Sequence, residues 1–95
     1  MTRQLDLEAL IDRISEMEEI FDALTALLRT RPDAFRIDSS ARALLTRLTE
    51  YYEGGQWLKD FEADEAGLLP RDLKRGVLSE DGVYNLLCEI ADIEE

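Results

Sequence analysis

Apolar residues recur along the first third of the chain with a helical period. Leu7, Leu10, Ile14, Met17, Phe21, Leu24 and Leu28 are spaced three and four residues apart in alternation, the a/d seam of a heptad repeat. Ile11, Ile20 and Leu27 fall on flanking positions, so the apolar face is wider than a two-stranded seam needs and suits a helix packed against two neighbours. Arg29 to Ser40 interrupts the pattern. Pro32 cannot continue a helix interior, Asp38, Ser39 and Ser40 are each able to cap the second helix, and Phe35 and Ile37 are placed to plug the end of a bundle. Ala41, Leu44, Leu48 and Tyr51 then resume the period and stop at Gly54-Gly55, where a glycine takes the left-handed position that ends a helix. The pattern predicts an antiparallel, coiled-coil-like helical hairpin over residues 5–53.

The remainder, residues 56–94, is more punctuated. Trp57 and Phe61 share a helical face, and Gly67, Leu68 and Pro70 together read as a helix C-terminus. Pro70 to Arg75 is expected to form one helical turn closed by Gly76. Ser79-Glu80-Asp81 starts a last helix whose buried stripe is Val83, Leu86, Leu87, Ile90 and Ile93. No strand pattern appears. The expected fold is all-α, a single domain over residues 1–95, with the hairpin packed on a short-helix C-terminal unit as a small helical bundle. Its expected core is Leu10, Ile14, Met17, Phe21, Leu24, Leu44, Leu48, Tyr51, Trp57, Phe61, Leu73, Val83, Leu87 and Ile90.

Composition narrows the chemistry. The 95 residues carry 11 Lys/Arg against 22 Asp/Glu, a net charge of −11, and contain no histidine and one cysteine. Without histidine there is no Ser-His-Asp or Cys-His nucleophile and no histidine-ligated metal. Cys88 has Asp81, Tyr84, Glu89 and Asp92 as neighbours and no cation to stabilise a thiolate. The charge opposes direct contact with nucleic acid or an anionic membrane, and favours a basic protein partner. The start of the chain is polar, no apolar run is long enough to span a bilayer, and one thiol suits a reducing compartment; a cytoplasmic protein is expected.

From Tyr51 to Leu87 the sequence becomes specific. Tyr51-Tyr52, Trp57-Leu58, Asp60-Phe61-Glu62, Asp64-Glu65, Gly67, Pro70, Asp72 to Gly76, Leu78 to Asp81, Tyr84 and Leu87 form a long string of low degeneracy. It resembles a bacterial family of small helical proteins, a domain of unknown function. The resemblance implies a bacterial cytoplasmic protein and implies no activity or cofactor.

Candidate sites are few. Glu8, Asp12, Glu16, Glu19 and Asp22 lie three or four residues apart or close to it and form one acidic ridge on the outer face of the first helix. Asp60-x-Glu62-x-Asp64 imitates the first ligands of a calcium loop, but Glu65 and Arg71 stand where that loop needs glycine and glutamate. Lys74-Arg75, the one adjacent basic pair of the second half, either clamps an anion near Ser79 or pairs internally with Asp64, Asp72, Glu80 or Asp81. The expectation is a non-catalytic interaction or regulatory module without metal or cofactor, presenting Glu8, Asp12, Glu16, Glu19, Asp60, Asp64, Lys74 and Arg75 to a protein partner; the wide apolar shoulders of the first helix also allow a homodimer in which two hairpins complete a four-helix bundle. Two alternatives stand beside it: an acidic mimic of DNA that inhibits a nucleic-acid-binding protein, and a divalent-cation or enzymatic site at Asp60, Glu62 and Asp64.

Trp57 distinguishes core from surface. As the anchor of a small core, Trp57→Ala costs about 3–5 kcal/mol in a denaturant melt, whereas a loss under about 1 kcal/mol places the indole at the surface.

Overall fold

A computed structural model describes the backbone of residues 2–94 and the side chains of residues 7–93. The long apolar period becomes one continuous helix, α1 (Thr2–Thr30). At about 1.5 Å per residue its 29 residues reach about 43 Å, which accounts for the 46 Å long axis of a molecule only 24 by 22 Å across. A one-turn helix, α2 (Ala34–Ile37), comes after Pro32, and then come α3 (Ser39–Glu53) and α4 (Gln56–Glu65). A 3-10 turn at Gly76–Leu78 precedes the last helix, α5 (Gly82–Glu94). All of these elements are helical. None of the helices is long and apolar enough to cross a membrane.

Local chemistry explains the boundaries. Asp38 has extended dihedrals and accepts the Ser40 N–H at 2.9 Å, so it is the cap of α3 among the three candidates. Gly55, at φ 94°, takes the left-handed bend between α3 and α4. Gly67, at φ 76°, ends α4: its own N–H reaches the Asp64 carbonyl and the Leu68 N–H reaches that of Ala63, the paired bonds of a Schellman motif. Ser79 receives the Gly82 N–H on its hydroxyl at 3.2 Å and so caps the start of α5.

One buried cluster joins these elements. Ile14, Met17, Leu24, Leu48, Tyr51, Val83 and Ile90 are buried, whereas Leu10, Phe21, Leu44, Trp57, Leu73 and Leu87 are half-buried at its margin, and Phe61, expected in the core, is half-buried outside it against Trp57. Ile20, Phe35, Leu69, Val77, Leu78 and Leu86 are also in the interior. The helix α1 packs on α3, α5 and the 3-10 turn; α2 bridges α3 and α5; and α4 joins α3 to the turn.

Two local expectations need correction. Phe35 and Ile37 do not plug the bundle together: Phe35 is fully buried, but Ile37 is 77% exposed. They are two residues apart on a helical turn, about 200° around its axis, so one facing inward turns the other out. Pro70 to Arg75 forms turns and not a helix, and Gly76 opens the 3-10 turn where it was expected to close a helical one. The Arg75 guanidinium instead braces these turns, donating to the carbonyls of Pro70, at 2.9 Å, and Arg71, at 3.2 Å, while Pro70 also accepts the Leu73 N–H at 3.3 Å.

The pair Phe35 and Ile37 makes the correction measurable. Phe35→Ala is expected to cost about 3–5 kcal/mol in equilibrium unfolding and Ile37→Ala to stay within about 0.5 kcal/mol of the parent. Comparable losses at both positions contradict this packing.

Candidate functional site

The polar groups that the fold brings together lie mostly inside it. Asp60 projects from α4 and is 1% exposed. Both of its carboxylate oxygens are engaged. The Arg13 guanidinium of α1 donates to it in fork geometry, Nε to Oδ2 at 3.0 Å and an Nη to Oδ1 at 2.8 Å. The Tyr51 hydroxyl of α3 donates to Oδ2 at 2.7 Å, and the Gln56 amide, one turn earlier in α4, donates to Oδ1 at 3.2 Å. Four donors from three helices therefore meet one carboxylate, and its lone-pair sites are filled. The hydrogen bond to Asp60 holds the Arg13 guanidinium above its ordinary pKa despite partial burial. Burial, reinforced by the hydrogen bond to Asp60, pushes the Tyr51 phenol well above the tyrosine range.

A second junction surrounds Val77. Its N–H donates to the Glu18 carboxylate of α1 at 2.9 Å, and its carbonyl accepts the Trp57 indole N–H of α4 at 2.8 Å. Glu18 is only 7% exposed. The 3-10 turn is thus held on both sides of one residue by side chains from two helices. Trp57 also stacks on Phe61, with ring centroids 5.0 Å apart, and meets Tyr52 edge-on at 5.2 Å. Arg75 reaches back from the loop to pair with Asp64.

These contacts redraw the surface expected from the sequence. Asp60 is not available to a partner, because an isolated carboxylate on this inward side of α4 would have no compensation for lost water and instead recruits four donors. Asp64 is half-buried and tied to Arg75, an internal pair for Arg75. Lys74 is exposed and pairs across to Asp22 of α1 at 3.4 Å, a partner that sequence proximity did not suggest. The ridge is therefore edged by cations: Asp22 meets Lys74, and Glu16 meets Arg47 of α3. Glu8, Asp12 and Glu19 remain, exposed and without an ion pair among the described residues.

The calcium-loop reading fails on geometry. Asp60, Glu62 and Asp64 all belong to a helix, where alternate residues diverge by about 200°, and not to a loop that turns its ligands inward. Asp60 is saturated inside, Asp64 is paired and Glu62 faces solvent.

Arg13, Gln56 and Glu18 went unnoticed in the sequence, although a signal exists for two of them. Arg13 lies four residues before Met17 and seven before Ile20, and Glu18 lies four after Ile14 and three before Phe21. Each is a charge occupying an apolar register, which marks a helix position with a buried counterpart elsewhere.

A family model described as a domain of unknown function (DUF4298) matches residues 14–94. The chain belongs to this family. No curated protein and no solved structure matches the chain. The matched span of the DUF4298 family takes in both interior junctions except Arg13, which lies one residue before it. Several residues of the Tyr51–Leu87 string have identifiable architectural work in this member of the family: Tyr51 and Asp60 at the first junction, Trp57 at the second, and Gly67, Arg75 and Ser79 at the turns.

The Asp60 junction has two measurable consequences. Asp60→Asn leaves the Arg13 charge without its counter-ion and is expected to cost about 3–5 kcal/mol, against about 2 kcal/mol for Tyr51→Phe, which leaves three donors on the carboxylate. Because the folded Tyr51 pKa is raised, the folded state keeps a proton that the unfolded chain loses above about pH 10, so stability declines as pH rises beyond that point. The decline due to this group approaches about 1.4 kcal/mol per pH unit and is expected to be missing from Tyr51→Phe when denaturant melts are compared between pH 8 and 11.5.

Proposed function

We propose that this DUF4298 protein is a small, non-catalytic interaction or regulatory module of the bacterial cytoplasm, and that it meets a basic protein partner along the outer face of α1. One observation carries the reading. The interior carboxylates Asp60 and Glu18 are consumed by architecture, whereas Glu8, Asp12 and Glu19 stand exposed on a single helix with no counter-ion among the described residues. At about 1.5 Å per residue these three carboxylates span about 16 Å of helix, a row suited to a basic helix or strand. The cations at its edges, Arg47 and Lys74, restrict the negative strip to the crest of α1.

In this proposal α1 and α3 form an antiparallel, coiled-coil-like hairpin that displays the strip. Its support is the order of the cross-links: Arg13 connects through Asp60 to Tyr51, and Glu16 connects to Arg47, so the links climb α1 as they descend α3. Catalysis has no support in the Asp60 junction, because a carboxylate holding four donors has no free lone pair to act as a base.

The test is capture of the tagged protein's partners from its own bacterium at low salt, in parallel with a variant carrying Glu8→Gln, Asp12→Gln and Glu19→Gln. The variant is expected to keep the parent's stability to within about 0.5 kcal/mol and to lose at least about tenfold of the recovered partner. Equal recovery by both proteins removes the α1 crest from the interface. A partner that binds DNA and is displaced by it would move the reading to mimicry of DNA.

A further inference from the structure

A groove of about 330 Å³ runs between α1 and α5 on a side of the molecule that neither interior junction uses. Its apolar floor includes Phe21, Leu28 and Leu86. At one end, where α5 starts, a β-carbon on Gly82 would collide with the Ser79 hydroxyl that caps the helix and sit 3.3 Å from the Phe21 ring of α1. Toward the other end, Arg29 in the last turn of α1 and Glu89 of α5 both line the groove. Phe21 and Gly82 thus meet at one end, and Arg29 and Glu89, each about two turns further along its helix, add one charge of each sign to the lining.

Arg29 and Glu89 are opposite charges lining one small space, yet they form no ion pair with each other or with any described residue. A molecule carrying both complementary charges on neighbouring atoms would satisfy each of them at once, with its carboxylate on Arg29 and its ammonium on Glu89. Its apolar tail would then lie toward Leu28, Leu86 and Phe21. The groove volume falls at the lower end of the range for small-molecule sites.

We infer that the α1–α5 groove binds a zwitterionic small molecule of the free amino-acid class with an apolar side chain, held by Arg29 and Glu89. This site is separate from the α1 crest and does not depend on it, since Glu8, Asp12 and Glu19 do not line it.

The test is an amide-resolved NMR titration of the full chain at about pH 6.5 with three probes: leucine, leucinamide, which lacks the carboxylate, and 4-methylpentanoate, which lacks the ammonium. Leucine is expected to saturate with a dissociation constant on the order of 1 mM, with shifts confined to residues 21–29 and 82–89, and each analogue to bind at least about threefold more weakly. Arg29→Gln is expected to abolish the preference for leucine over leucinamide, and Glu89→Gln the preference over 4-methylpentanoate; both side chains are exposed, and the same spectra report whether each variant is folded. No saturation by about 20 mM, shifts centred elsewhere, or either analogue binding within about threefold of leucine overturns the inference.

Discussion

A buried carboxylate without partners is among the most costly features a small protein can contain, and the arrangement of this one results from avoiding that cost. Asp60 enters the interior from α4, and its four acceptor sites draw Arg13 from α1, Tyr51 from α3 and Gln56 from its own helix to a common point. A hydrophobic seam is tolerant of small rotations and slides, because apolar contact is not directional. A forked guanidinium–carboxylate pair is not tolerant, since both bonds require one plane and one separation. The junction therefore fixes how α1, α3 and α4 are rotated and offset, which the apolar faces alone leave loose.

The turn before α5 is held by the same means. Loop 66–75 has little regular structure, yet it delivers Val77 and Leu78 to the core, where both are buried. Glu18 and Trp57 take the two polar groups of Val77, so the peptide enters the apolar interior with its hydrogen bonds made. Arg75 then holds the loop by pairing with Asp64 and filling two loop carbonyls. Because the second and first junctions share α1 and α4, the position of α5 relative to the rest of the bundle depends on both.

This use of charge shapes the functional reading. A chain with 22 acidic residues offers many candidate carboxylates, and the fold sorts them by what already satisfies them. Those facing inward have fixed donors and serve architecture. Some at the flanks of α1 face cations on neighbouring elements, and those on its crest face only solvent. Partner recognition by charge requires groups with capacity left over; single positions such as Glu62 and Glu89 have it, and the crest of α1 sets three such groups in a row on one helix face.

The four longer helices were legible in the sequence, because they arise from local causes: the three-four spacing of apolar residues, the stop at Gly54-Gly55, the Gly67 terminus and the Ser79 start; the one-turn α2 and the 3-10 turn at Gly76–Leu78 were not. The inward rotation of the first helix could also be read, since its stripe from Ile14 to Leu24 is wide and nearly continuous. The burial of Asp60 could not. On a ten-residue helix bearing six charged or amide side chains, either face could be the wet one, and the matter turns on Arg13, 47 positions away in the chain. Ile37 and the 70–75 turn were decided in the same way, by a Phe35 that claims the interior and by an Arg75 side chain that ties the turns through the Pro70 and Arg71 carbonyls and Asp64. Sequence alone determined the elements, because spacing and capping act within a few residues; the tertiary structure alone decided which charges are spent inside, because a counter-charge becomes a partner only when the folded chain brings it within about 3 Å and removes the water between them.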